Sequence, residues 1–277
     1  MASTEETEEF DAWDIRESGP ADAPHGVLLL PGGLCSTVFY EDVMAEPALA
    51  DAPVRLVAAT IPGFAHTPPP RDLSMENYAA LVGALADRHG CGTAVGHSFG
   101  ANILLEAAAA GHFSGPLVLL SPTFSRADEA TEFSVADRIG RVPGVGALTW
   151  TALLRLAPRM MSHQLPEARR EVLVADLRNN DTGLCRRLIR HYFDYLDRHG
   201  SLVPRLRSAQ VPTWVVFGEH DEIGLAEEEV AGLDAEPGIT LVTVPDSGHL
   251  LMVDQPALVA ELIARVALGR GGTADPR

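Results

Sequence analysis

The stretch Thr93-Ala94-Val95-Gly96-His97-Ser98-Phe99-Gly100-Ala101-Asn102-Ile103-Leu104-Leu105 decides how this chain is read. It joins a short apolar run, Thr93 to Val95, to an Ala- and Leu-rich helical pattern, Ser98 to Ala110, through Gly96-His97-Ser98-Phe99-Gly100. A serine between two glycines at a strand-to-helix junction has a specific physical use. The sharp turn pushes its hydroxyl out at the carboxyl end of a sheet, and the missing Cβ atoms let neighbouring backbone pass close by. The following helix presents its N-terminal amides to the same spot. A helix cap alone would use the serine without needing both glycines, so Ser98 is the candidate nucleophile.

Outward from this junction, five more β-rich runs are bounded by Gly, Pro or polar turns: Val27 to Leu30, Val54 to Ala58, Leu117 to Leu120, Thr213 to Phe217 and Thr240 to Val244. Helical segments lie between them, among them Ser74 to His89, with a capping serine and Glu76 in its first turn, and Pro256 to Ala267. Apolar strands alternating with helices imply an α/β fold built on a mostly parallel, doubly wound sheet covered on both faces. Phe10 to Arg16 alternates apolar and polar residues, which predicts an antiparallel edge strand. The acidic lead before it and the tail from Gly269 are expected to be disordered. The rhythm breaks between Thr123 and Ser208, where helical patterns run on without a strand for longer than any loop. The expected organisation is an α/β core from 1–122 and 209–277, with a helical cap, 123–208, inserted after the Leu117 to Leu120 strand.

A serine hydroxyl attacks poorly unless a neighbouring base takes its proton. Of the ten histidines, His249 stands out, because Pro245-Asp246-Ser247-Gly248-His249 follows the last strand pattern and reaches the sheet edge where Ser98 emerges. Gly218-Glu219-His220-Asp221 follows the preceding strand and brings Asp221 to that edge as well. The order Ser, Asp, His suits the motif, and the 28 residues from Asp221 to His249 leave room for a helix and a strand. Glu219 and Glu222 are nearby substitutes for Asp221. His97 and His220 read as motif neighbours, Cys35 as a small buried hydrophobe, and Met160 and Met161 as packing residues.

Composition removes several alternatives. The 277 residues carry 38 acidic against 21 basic side chains, a net charge of −17, which repels phosphate backbones and anionic surfaces. Nucleic acid and membranes are therefore not expected partners; a small-molecule substrate is. All 21 basic residues are Arg, so no lysine is present to form a Schiff base or to hold a nucleotide phosphate. Cys35, Cys91 and Cys185 are far apart, with neither C-x-x-C nor H-E-x-x-H in the chain, so no disulfide framework or zinc site is expected. Gly90-Cys91-Gly92 precedes a strand and lacks the third glycine of a dinucleotide fingerprint. No metal or organic cofactor is expected. The start is acidic (Glu5, Glu6, Glu8, Glu9) and no apolar run nears the ~20 residues of a spanning helix, so a cytoplasmic location is the expectation. Residues 123–208 hold 14 of the 21 Arg against ten acids, whereas the remainder has seven Arg against 28 acids. These Arg either pair with the acidic core and solvent, or turn inward to hold a substrate carboxylate.

Taken together, the motifs resemble the α/β-hydrolase superfamily, from Leu30-Pro31-Gly32-Gly33 to Gly248-His249-Leu250 and the helix beyond. The resemblance implies an α/β-hydrolase fold whose insertion forms a lid. It implies one oxyanion amide in the turn after Val27 to Leu30, from Gly33 or Leu34, and a second from Phe99. Members often carry His-Gly in that turn; here Pro31 stands where the His would be, which leaves the backbone donors in place. Some members place the acid after the strand equivalent to Leu117 to Leu120, but Ser121-Pro122-Thr123 has none, favouring Asp221. Ser rather than Asp at position 98 argues against haloalkane dehalogenase and epoxide hydrolase chemistry. The activity implied is that of a serine hydrolase acting by acyl transfer on a small ester-like substrate, as a carboxylesterase or lactonase. Hydrolysis of a carbon-carbon bond in ring-cleavage diketone acids, or of a thioester, is the alternative. A non-catalytic ligand receptor or a cofactor-free oxygenase of the same fold is the competing class.

Overall fold

The computed structural model describes residues 13–129, 131–140, 146–162 and 165–270. Seven strands make one sheet in the order β1-β3-β2-β4-β5-β6-β7. They are β1 (Asp14–Ser18), β2 (His25–Leu30), β3 (Val54–Thr60), β4 (Cys91–His97), β5 (Leu117–Leu120), β6 (Thr213–Gly218) and β7 (Ile239–Val244). The six runs read as parallel strands pair in parallel, and β1 joins β3 antiparallel. The edge strand overlaps only the end of Phe10 to Arg16, since its extent is set by pairing with β3 from Asp14↔Thr60 to Ser18↔Leu56. Residues 10–12, the acidic lead and most of the tail lie outside the described residues.

Helices cover both faces, which is why Val27 to Leu30 and Leu117 to Leu120 are unbroken apolar runs with no exposed surface. On the core these are α1 (Glu41–Ala45), α2 (Pro47–Ala50), α3 (Met75–Arg88) and α4 (Phe99–Ala109). Ser74 caps α3 by accepting a hydrogen bond from the Asn77 amide at 3.3 Å. Between β5 and β6 run α5 (Thr131–Gly140), α6 (Gly146–Met161), α7 (Glu167–Arg178), α8 (Thr182–His199) and α9 (Val203–Ala209). The chain closes with α10 (Glu227–Asp234), α11 (Leu251–Asp254) and α12 (Pro256–Ala267).

Four of the Arg in 123–208 join this segment to the acidic core. Arg169 reaches Glu41 at 2.6 Å and Asp42 at 3.3 Å, and Arg198 reaches Glu76 at 2.8 Å. Arg207 pairs with Glu236. Glu106, buried on α4, would be costly alone. It accepts two bonds from Arg205 at 2.7 and 2.6 Å and one from the Tyr195 hydroxyl at 2.6 Å, and α9, which carries Arg205, packs directly on α4.

The order of strands places the site. From β2 the chain goes to β3 on one side and returns to β4 on the other, so the strand order reverses between β2 and β4, where parallel α/β sheets open a crevice at their carboxyl ends. Register brings Leu30 beside Gly96, His97 beside Leu120, Leu120 beside Val216 and Gly218 beside Val244. The turns that follow β2, β4, β5, β6 and β7 therefore meet along one edge.

Candidate active site

Ser98 sits between β4 and α4 with φ 48° and ψ −117°, a backbone conformation that L-residues rarely adopt. Such strain costs about 1–3 kcal/mol and persists only where the surroundings impose it. Here the Ser98 amide donates to the Leu120 carbonyl at 2.8 Å while the Ser98 carbonyl accepts from Asn102 at 3.1 Å. The flanking glycines are a packing requirement: a Cβ on Gly96 would lie 2.6 Å from the Gly100 carbonyl carbon, and one on Gly100 would lie 2.5 Å from the Pro31 carbonyl oxygen.

Two turns further along the edge, His249 Nδ1 donates to Asp221 Oδ1 at 3.1 Å. That fixes the proton on Nδ1 and leaves Nε2 as an acceptor. Asp221, whose side chain is 1% exposed, also accepts the Ser121 hydroxyl at 2.5 Å and the Ile223 amide at 3.0 Å. Burial pushes its pKa up, but the His249 hydrogen bond and charge, the Ser121 hydroxyl and the Ile223 amide outweigh burial and hold it below the usual aspartate value. The substitutes weighed for Asp221 face elsewhere: Glu219 and Glu222 are exposed, and Glu219 accepts from the Asp246 amide at 3.1 Å. His220 is exposed too.

His97 does more than its sequence position suggests. It is 2% exposed, its ring lies 4.8 Å from that of His249, and its Nε2 donates to the His249 carbonyl at 2.9 Å. Nδ1 is then a bare acceptor, with no partner among the described residues. Burial, followed by the His249 charge, holds its pKa down at about 3 against the carbonyl contact that opposes them, so the ring stays neutral. His97 thus pins the candidate base to the strand that carries the candidate nucleophile.

The turn after β2 reaches the same place. Cys35 donates to the Gly32 carbonyl at 3.3 Å, closing a turn with Gly33 and Leu34 at its centre, and Leu34 has φ 69°. A Cβ on Gly33 would stand 3.7 Å from Phe99 Cβ, so this turn rests on the start of α4. Phe99 is the first residue of that helix, and its amide has no intrahelical acceptor. Cys35 is 1% exposed, and burial, then Asp176, raises its thiol far above the reactive range.

Glu129 escaped the sequence reading. Its Oε1 accepts from the Thr123 hydroxyl at 2.8 Å and the Tyr192 hydroxyl at 2.7 Å, and the Tyr192 ring lies 5.2 Å from that of Phe99. Burial raises the pKa of this carboxyl despite both hydroxyls and the charges of His249 and Arg126. No local pattern marks it, since its partner Tyr192 is 63 residues away. A cavity of about 380 Å3 opens beside Leu34, against Leu177 and Asn180. The side chains of Met160 and Met161 lie outside the described residues. Among the described residues, one trio of side chains, Glu219, His220 and Asp246, brings metal-binding atoms within 4.8 Å of one another, all of it exposed. Among them, too, no helix is long and apolar enough to cross a membrane.

The chain belongs to the alpha/beta hydrolase family, whose model matches residues 27–262. It is similar in structure to a thermophilic esterase from Thermogutta terrifontis, at 20% identity and TM-score 0.69 over 93% of each chain. It is similar also to MenH from S. aureus, at 18% identity and TM-score 0.72 over 94% of this chain and 99% of that one. The haloalkane dehalogenase DbeA from Bradyrhizobium elkani gives 19% identity and TM-score 0.71 over 93% and 94%. At these identities the likeness speaks for the fold. No curated protein sequence matches this one.

Proposed function

We propose that the protein is a serine hydrolase that transfers the acyl group of a small ester-like substrate to Ser98 and then to water, as a carboxylesterase or lactonase. The observation that carries this reading is the 3.1 Å bond from His249 to buried Asp221, set on the sheet edge where Ser98 holds its left-handed turn.

In this mechanism His249 Nε2 takes the hydroxyl proton as Ser98 Oγ attacks the ester carbonyl. Asp221 stays ionised, keeps the other imidazole proton on Nδ1 and stabilises the imidazolium. The amides of Phe99 and of Gly33 or Leu34 receive the charge that develops on the carbonyl oxygen. Collapse of the tetrahedral intermediate releases the alcohol, which takes the proton from His249. Water, deprotonated by the same imidazole, then releases the acid. The steps use no metal or organic cofactor.

The segment between β5 and β6 acts in this reading as a cap, with Tyr192 against Phe99 as part of the acyl pocket. Arg169, Arg198, Arg205 and Arg207 are engaged with core acids, which takes these four out of reach of a substrate carboxylate, whereas Arg155 and Arg178 line the cavity beside Leu34 and keep the diketone acid as the second reading. Three free, buried cysteines accord with a reducing compartment, for which the cytoplasm is our proposal.

The test is intact mass after exposure to a fluorophosphonate, followed by turnover of short-chain aryl esters and thioesters. One adduct on the wild type and none on Ser98→Ala is the expected result. No adduct on folded wild type, with ester turnover no faster than that of Ser98→Ala, would overturn the reading in favour of a ligand receptor.

A further inference from the structure

The turn that carries Gly33 and Leu34 is held mainly from outside the sheet. Within the core its closing bond is the contact of Cys35 with Gly32. From the segment between β5 and β6, the end of α7 supplies three more. Asp176 accepts from the Ser36 amide at 2.9 Å and from the Ser36 hydroxyl at 2.6 Å, and the Asn180 Nδ2 donates to the Leu34 carbonyl at 2.8 Å. Asp176, Ser36 and Leu34 are all nearly buried, so the bonds compete little with water.

The same Asn180 amide reaches across to the loop after β3, where its Oδ1 accepts from the Ala65 amide at 3.0 Å. Leu34 and Ala65 are both non-glycine residues with positive φ, 69° and 46°. A leucine there is strained, and such a conformation persists only where the surroundings impose it. Relaxation would rotate the peptide planes on either side of Leu34, which carry the Leu34 amide, a candidate oxyanion donor, and the Cys35 amide that closes the turn. One side-chain amide therefore keeps two strained turns in place, and the carboxylate four residues earlier, at one helical turn, fixes the chain where it leaves the first of them.

We propose that Asp176 and Asn180 are positioning residues for the oxyanion turn, so that the helical segment holds one wall of the acyl-transfer site in its reactive shape. This rests on the serine hydrolase reading given above. Both side chains are already engaged by the turns they hold, Asp176 by Ser36 and Asn180 by Leu34 and Ala65. They act through Leu34 and Ser36, and their effect falls on the charged tetrahedral state rather than on ester binding.

The experiment compares wild type with Asn180→Ala, Asn180→Asp and Ser36→Ala. Asn180→Asp keeps an acceptor for Ala65 but turns a repelling oxygen toward the Leu34 carbonyl. Each protein is measured for kcat and KM on an aryl acetate, for thermal stability, and for affinity toward an alkyl trifluoromethyl ketone. Ser98 adds to that ketone, its proton passing to His249, and the former carbonyl oxygen becomes an anion in the oxyanion position. For Asn180→Ala and Asn180→Asp, kcat is expected to fall about 10- to 100-fold with KM within about threefold, and ketone affinity to fall by the same factor as kcat. Ser36→Ala, which removes one of the Asp176 bonds and keeps the amide, should lose less on both measures. Unchanged kcat in the folded Asn180 variants, or a lower kcat with undiminished ketone affinity, would refute the clamp. If an Asn180 variant does not fold, Ser36→Ala decides on the same two readouts. Wild-type turnover that does not depend on Ser98 would sink the hydrolase reading and this proposal together, whereas Ser98-dependent turnover indifferent to Asn180 and Ser36 would sink the proposal alone.

Discussion

Replacing His97 with Gln should make the fold markedly less sensitive to mild acid. The imidazole is 2% exposed and held at a pKa of about 3 by burial and by the His249 charge, whereas the unfolded chain takes up the same proton near the ordinary value of 6.5. The folded value is the lower of the two, so this group's contribution is intact above pH 6.5 and drains away as the pH falls toward 3. At pH 5 the folded ring is still unprotonated, and the loss depends on the unfolded value alone. Each unit below it costs about 1.4 kcal/mol, so about 2 kcal/mol is lost between pH 8 and pH 5. Gln can still offer an N–H to the His249 carbonyl but does not titrate. Its fixed cost, whatever its size, is the same at both pH values. Urea unfolding of both proteins at pH 8 and pH 5 should show the stability gap moving about 2 kcal/mol in the variant's favour at the lower pH. A gap that stays constant would mean that His97 is protonated in the fold or open to water, and the account of how it pins His249 would go with it.

Gly100→Ala would put a Cβ 2.5 Å from the Pro31 oxygen and 2.8 Å from the Leu30 oxygen, both backbone atoms that cannot swing aside. Forcing the turn and α4 apart should cost about 1–3 kcal/mol and, through a displacement near 1 Å, about 10²-fold in kcat/KM; wild-type melting and turnover would refute the close-approach argument. Asp221→Asn should lower kcat about 10³- to 10⁴-fold by removing the charge that holds the His249 tautomer. Ser121→Ala, which removes one of several donors to Asp221, should cost only about 10-fold, and the reverse order of severity would show that Ser121 rather than Asp221 organises His249.

The parts of this molecule that could be read in advance are those where a steric demand is written locally. Gly96 and Gly100 announce the turn at Ser98 because the atoms they avoid belong to the next few residues and to an adjacent strand. The buried strands announce themselves because both faces of Val27 to Leu30 and Leu117 to Leu120 are covered, so every position must be apolar. Placing Asp221 and His249 on one edge needed only the rule that parallel strands end on the same side. The edge strand runs on past Arg16 to Ser18 because alternation marks which residues can pair, whereas the extent of β3 decides which do. Ser121 was noticed for lacking a carboxylate; its hydrogen bond to Asp221, 100 residues on, has no sequence signature.

Charge shows the same division in another form. That 123–208 is rich in Arg could be counted, but a count has no direction, and the two uses weighed for those Arg differ only in which way they point. The structure turns four of them to core acids, and one result is that Glu106 can be buried on α4, the helix that starts at Phe99. Asp176 and Asn180 bind the turn beside Phe99 from the same segment at separations of 140 and 146 residues. The segment therefore grips the core on both sides of Phe99, through α4 behind it and through the Gly33-Leu34 turn in front. In the reading proposed, that grip is what lets a leucine rather than a glycine occupy the left-handed corner of the turn: the strain at Leu34 is borne by contacts that exist only when the segment is docked.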